Sequence, residues 1–125
     1  MLNWRTFFIA AAIFNFLAGL PLLLAPEMMT ASLDMPPLAD RLFPQLAGIL
    51  IVCFGVVYWF VANDLERYRP LVWLGVAGKA GVVVLFALAL MQGSLPFKAF
   101  ALSLVDLAFG VGFLMFVLTP AKRVA

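Results

Sequence analysis

"GVAGKAGVVVLFALAL", residues 75–90, sets a lysine inside an otherwise apolar run. Glycine and alanine flank Lys79, followed by valine, leucine and phenylalanine, so no neighbour in sequence can serve as its partner. The surrounding stretch, Leu71 to Met91, matches the roughly 20 apolar residues that a helix needs to cross a bilayer core about 30 Å thick. A charge held there demands a partner from elsewhere in the chain.

Three further apolar stretches have the same length: Trp4 to Leu24, Leu42 to Ala62 and Phe97 to Leu118. With 66% hydrophobic residues, 11% charged residues and a mean hydropathy of +1.15, the chain lies outside the composition of soluble globular domains, where about a quarter of residues are charged. The expected fold is all-α: an integral membrane four-helix bundle forming one transmembrane domain over residues 1–125. Its spans fall at about 4–24, 42–62, 71–91 and 97–118. The first span carries Arg5 ahead of an apolar stretch, as in a secretory signal. Its apolar run is too long for a signal, and "LLLAPEMM" puts Pro26 and Glu27 where a small-residue cleavage site belongs. It reads as a spanning helix.

Between the first two spans, "PEMMTASLDMP" is too short to cross and mixes Met28, Met29 and Leu33 with Glu27, Thr30 and Asp34. It predicts a short helix lying in the interface. Pro70 suits the first turn of the third span, Asp40 can cap the second and Ser94 the fourth, while Pro21 is expected to bend the end of the first. Arg5, Arg67, Arg69, Lys122 and Arg123 fall on one side of the membrane, and Arg41 and Lys98 on the other. Because basic residues are retained in the cytoplasm, both termini are expected there. Asp64 and Glu66 alternate with Arg67 and Arg69 and read as a solvated loop. Trp4, Trp59, Tyr68 and Trp73 read as an interfacial aromatic belt, whose rings could also line a cofactor or quinone site.

At about 1.5 Å per residue, Asn15 and Lys79 both sit roughly 14 to 16 Å from the inner boundary, and Asp106 roughly 13 to 14 Å from the outer one. All three reach the midplane, where an unpaired Lys or Asp costs about 2.5 to 3.5 kcal/mol. Lys79 and Asp106 are therefore expected to face each other, with Asn15 completing the cluster. Small and polar residues repeat at helical spacing on every span: Ala11, Asn15 and Gly19; Gln45, Gly48, Val52, Gly55 and Trp59; Gly75 and Lys79; Ser103, Asp106, Gly110 and Phe113. Such stripes mark helix contacts in lipid, which adds Gln45 and Ser103 to the candidate site. The pair reads either as a register lock between the third and fourth spans or as a point that binds a headgroup, anion or proton.

Other chemistry finds little footing. "GKAG" lacks the phosphate-loop spacing and its hydroxyl residue. With no histidine in the sequence, imidazole metal sites and Ser-His-Asp triads are excluded within the chain, so no catalytic residue, metal or cofactor is expected. Met28, Met29 and Met35 could offer thioethers to Cu(I), but on an interfacial helix they read as lipid-facing. Cys53, the single cysteine, reads as a small buried hydrophobe. Nothing suggests nucleic-acid binding, since the net charge is only +2.

The stretches "FNFLAGLPLLLAPE" and "DRLFPQLAGILIVCFGVVYWFVANDLERYRPLVWLGVAGK", with the aspartate of "LVDLAFG", resemble a group of small four-helix bacterial inner-membrane proteins of unassigned function, loosely similar to the DoxX-like families. The resemblance implies a bacterial inner-membrane bundle associated with redox or lipid metabolism, and no established reaction. The expected function is a non-enzymatic accessory or binding protein. It would hold a lipid, quinone or other apolar ligand, or dock onto a larger membrane complex, alone or as a homo-oligomer. The alternative is a dimeric proton-coupled small-molecule transporter, in which Asp106 alternates between a proton, Lys79 and substrate.

Overall fold

The computed structural model describes residues 3–119, so the expected position of Lys122 and Arg123 lies outside the described residues. Five α-helices follow one another: α1 (Trp4–Leu24), α2 (Pro26–Ser32), α3 (Leu42–Asn63), α4 (Val72–Met91) and α5 (Phe97–Leu118). A 3-10 turn, Arg69–Leu71, leads into α4. Among the described residues there is no strand, and α1, α3, α5 and the turn-plus-α4 segment are each long and apolar enough to cross a membrane. The protein is an all-α four-helix bundle of the multi-pass membrane class, and α2 is the short extra helix expected between the first two spans.

Local chemistry sets the boundaries. Asn3 caps α1, its side-chain oxygen accepting from the Arg5 N–H at 2.8 Å. The Asp40 carboxylate accepts from the Phe43 N–H at 3.2 Å and steadies the start of α3. Pro70 lies inside the 3-10 turn, where the first-turn N–H it lacks would have had no helical partner. Ser94 departs from expectation. Its hydroxyl and backbone N–H both donate to Ala89 O, so it closes α4, and α5 starts after Pro96 instead. Gly93 precedes it with φ +75, the left-handed step by which a glycine ends a helix while the last carbonyls stay bonded.

The helices associate as two antiparallel pairs. In α1/α3, a Cβ on Gly48 would lie 2.7 Å from the Leu23 backbone nitrogen and 2.8 Å from Gly19 O, so these backbones touch without side chains between them. Small residues at a crossing permit this approach, and dispersion then replaces the hydrophobic drive that lipid removes. In α4/α5, Gly75 lies against the Phe113 ring and Gly110 against the stem of Lys79. The pairs meet through aromatic rings near the chain termini: Phe8 stacks on Phe113 at 5.3 Å, Phe7 tilts onto Phe109 at 5.5 Å, and Trp4 meets Phe116 edge-on at 5.2 Å. Phe8, Phe113, Phe116 and Tyr58 are fully buried in this cluster.

Large apolar side chains such as Leu17, Leu50, Leu85 and Met115 point outward, as lipid-facing surfaces require. Two residues expected inside join them. Trp59 is 48% exposed, because the α3 face that meets α1 is carried by Gly48 and Gly55, and Trp59 lies off that line. Cys53 is likewise exposed rather than buried.

Candidate functional site

The aromatic packing that closes one half of the bundle does not continue through the other. Toward the end that carries α2, the facing residues shrink to Ala18, Ala47, Gly78 and Ala99, and a cavity of about 520 Å³ opens between the two pairs. Met29, Leu33, Met35 and Leu38, from α2 and the segment after it, border the cavity at that end. Ala47, Leu50, Gly78 and Val82 line it from α3 and α4 and are also exposed, so it opens sideways between these helices. In a spanning bundle this opening faces lipid.

Lys79, Asn15 and Asp106 form the polar part of the cavity wall. The Lys79 ammonium donates to Asp106 Oδ1 at 2.5 Å and to Asn15 Oδ1 at 2.9 Å. Lys79 is 6% exposed and Asn15 4%. The Asn15 amide nitrogen donates to Ile51 O at 3.0 Å, so one side chain on α1 holds both α3 and α4. The glycines make this geometry possible: a Cβ on Gly110 would stand 3.0 Å from the Lys79 Cβ, and one on Gly55 would lie 3.2 Å from the Asn15 Cβ. The ammonium also sits within 5.2 Å of the Phe14 ring, 5.7 Å of Tyr58 and 5.9 Å of Phe109. Ring faces attract a desolvated cation, supplying part of what water no longer does.

Of the five candidate residues, the structure joins Asn15, Lys79 and Asp106 directly. Ser103 is buried and lines the same cavity, its hydroxyl donating to Phe100 O at 2.6 Å within its own helix. Gln45 is elsewhere. It lies one turn into α3 and donates to Leu23 O at 3.1 Å, tying the α2 end of α1 to α3. Sharing a stripe with Gly55 gave it the right direction but the wrong depth.

The rings in the cavity wall are Phe14, Phe54, Tyr58 and Phe86. Trp4, Trp59, Tyr68 and Trp73, read from the sequence as an interfacial belt whose rings could also line a cofactor or quinone site, do not line this cavity. Tyr58 is 1% exposed, and its hydroxyl makes no hydrogen bond among the described residues. The sequence reading did not single out Tyr58, since an unpartnered hydroxyl leaves no mark in helical spacing. No group of three or more His, Cys, Asp or Glu is placed to hold a metal among the described residues.

The loop "NDLERYRP" is more than a solvated hinge. Arg69 is half-buried, and its guanidinium donates to Phe116 O at 2.9 Å, Val117 O at 3.3 Å and Thr119 O, with its plane over the Phe116 ring. The loop between α3 and α4 thereby caps the end of α5.

Fold and site together define a multi-pass membrane helical bundle with a lipid-facing cavity and a neutralised ion pair in its wall. Compared with protein-family models, curated proteins and solved structures, the chain matches none.

Proposed function

We propose that this protein is a non-enzymatic binding or accessory protein of the bacterial inner membrane, with both termini cytoplasmic, that holds an apolar ligand such as a lipid or quinone. One observation carries the reading: the cavity of about 520 Å³ is walled almost wholly by apolar side chains and opens between α3 and α4. That volume lies within the roughly 300 to 1,000 Å³ of small-molecule sites, which are likewise apolar with a few placed polar groups. An apolar ligand reaches such an opening by moving within the bilayer. The surrounding helices expose the surface by which the protein would join a second copy or a larger complex.

Gly78→Leu tests the reading. A Cβ at Gly78 would meet only the Phe54 ring, at 3.9 Å, so the larger side chain can enter the cavity without displacing backbone. Native mass spectrometry from mild detergent should show a lipid or quinone mass on the wild type and its loss from Gly78→Leu, with the thermal midpoint kept. A bare wild-type protein, or an antiparallel dimer that carries substrate against a proton gradient, would overturn the proposal.

A further inference from the structure

Resting on the ligand-holding reading, the geometry points to the chemical class of that ligand: an uncharged amphiphile with a carbonyl in its head, which accepts hydrogen bonds from the Tyr58 hydroxyl and Lys79. Charge balance comes first. Lys79 and Asp106 already neutralise each other at 2.5 Å. A carboxylate or ammonium brought beside them would add an unpaired charge to a low-dielectric site, whereas a neutral head would not.

Unused hydrogen-bonding capacity gives the polarity of the head. An ammonium has three donors, and Lys79 uses two of them, on Asn15 and Asp106. Tyr58 lines the cavity, is 1% exposed, and its hydroxyl makes no hydrogen bond to another described residue. Side chains on a helix lean toward its N-terminus. In α3 that is the end facing the cavity, so Tyr58 reaches from the aromatic cluster toward Lys79, whose ammonium lies 5.7 Å from its ring. The Lys79 ammonium and the Tyr58 hydroxyl thus keep donor capacity in a wall whose own side-chain acceptors, Asp106 Oδ2 and Ser103 Oγ, are few. A ligand carbonyl oxygen can accept from both donors, and that hydrogen bonding favours a polar head at this depth over a wholly apolar one. The apolar remainder of the ligand runs past Phe14, Phe54 and Phe86 toward α2.

A quinone and a neutral lipid ester share this chemistry. Native mass spectrometry of the full chain should therefore compare four probes at equal concentration: decyl-benzoquinone, methyl dodecanoate, dodecanoate and dodecylammonium. The expected result is retention of one or both neutral carbonyl probes at least about tenfold above either ion, as expected if each lone charge costs more than ~1.4 kcal/mol at this depth. Preference between the first two identifies the source. Tyr58→Phe keeps the ring and breaks no hydrogen bond within the described protein, so the thermal midpoint should hold. Neutral-probe retention should fall about 3- to 10-fold, as for one neutral hydrogen bond. The infrared carbonyl band of bound methyl dodecanoate should move to higher frequency in that variant. Equal retention of an ionic probe, or a Tyr58→Phe protein that binds like the wild type, overturns the inference while leaving the cavity a ligand site. Retention of none of the four by the wild type overturns the ligand-holding reading with it.

Discussion

Lys79 on α4 donates to Asn15 on α1 at 2.9 Å, and Asn15 in turn donates to Ile51 O on α3. This polar chain crosses between two helix pairs whose other close side-chain contacts are largely aromatic. With Asp106 on α5, all four long helices are bonded at one level. The cluster therefore fixes the position of the pairs relative to each other at the point where ring packing gives way to the cavity.

Removing either charge alone should be costly. Lys79→Met leaves the Asp106 carboxyl without its cation, and Asp106→Leu leaves the Lys79 side chain with only Asn15 as a polar partner. Breaking one side of a buried pair typically costs about 3 to 5 kcal/mol, whereas replacing both partners by apolar residues can be neutral. The double variant Lys79→Met with Asp106→Leu should recover to within about 2 kcal/mol of the wild type, the residue being the Asn15 oxygen left without its donor. Reversible unfolding in mixed micelles gives all three values. A double variant no more stable than the worse single one would show that the charges do not act as a pair.

Exchanging the charges should not restore the protein. The lysine stem occupies space that Gly110 provides on the α5 side, and Asn15 presents its carbonyl oxygen toward α4 because its amide is committed to Ile51 O. Lys79→Asp with Asp106→Lys would set a carboxylate against that oxygen. The swapped protein is expected to be less stable than the neutral double variant in the same unfolding experiment. Equal or greater stability would mean that only the Coulombic attraction matters.

Glycine substitutions should divide by what lies opposite. At Gly48 a methyl group would lie 2.7 Å from backbone, which cannot rotate away, so α1 and α3 must separate. Gly81 has nothing within 4 Å. Gly48→Ala should lower the thermal midpoint by several degrees, while Gly81→Ala should hold or raise it, since alanine is favoured over glycine in a helix by up to about 1 kcal/mol. Comparable losses at both positions would contradict the close α1/α3 crossing.

The sequence showed most plainly what lipid penalises. Helix lengths followed from the thickness of an apolar barrier, and the meeting of Lys79 with Asp106 and Asn15 followed from equal depth and the cost of a lone charge. Gln45 was misplaced because amides are tolerated close to a helix end, where depth imposes little penalty. Trp59 was misplaced because a stripe three or four residues apart spans a wide arc, and only the partner helix decides which edge it covers. The cavity was not legible at all. It results from a change in size among inward residues, from Phe8 and Phe113 at one end to Ala18 and Ala99 at the other, and all four are equally apolar. Arg69 was hidden by the opposite effect, since a basic residue in a polar loop looks solvated until the carbonyls of a distant helix are found beside it.

Those carbonyls make Arg69 the most direct test of how the loop holds α5. The last carbonyls of a helix have no partner within it, and a cation there also meets the negative end of the helix dipole. The Arg69 guanidinium reaches Phe116 O and Val117 O in the last turn and Thr119 O just beyond it, and lies 3.6 Å from Glu66 Oε1, too far for a hydrogen bond but close enough for an ion pair. Arg69→Met should remove about 1.5 to 3 kcal/mol of local protection, the range for hydrogen bonds to a charged group. Amide exchange in the last turn of α5 should then accelerate by roughly 10- to 150-fold, while α1 changes little. Arg69→Lys supplies the charge without the planar fork and should recover only part of this. Exchange in that turn unchanged by Arg69→Met would mean that water caps α5 as well as the loop does.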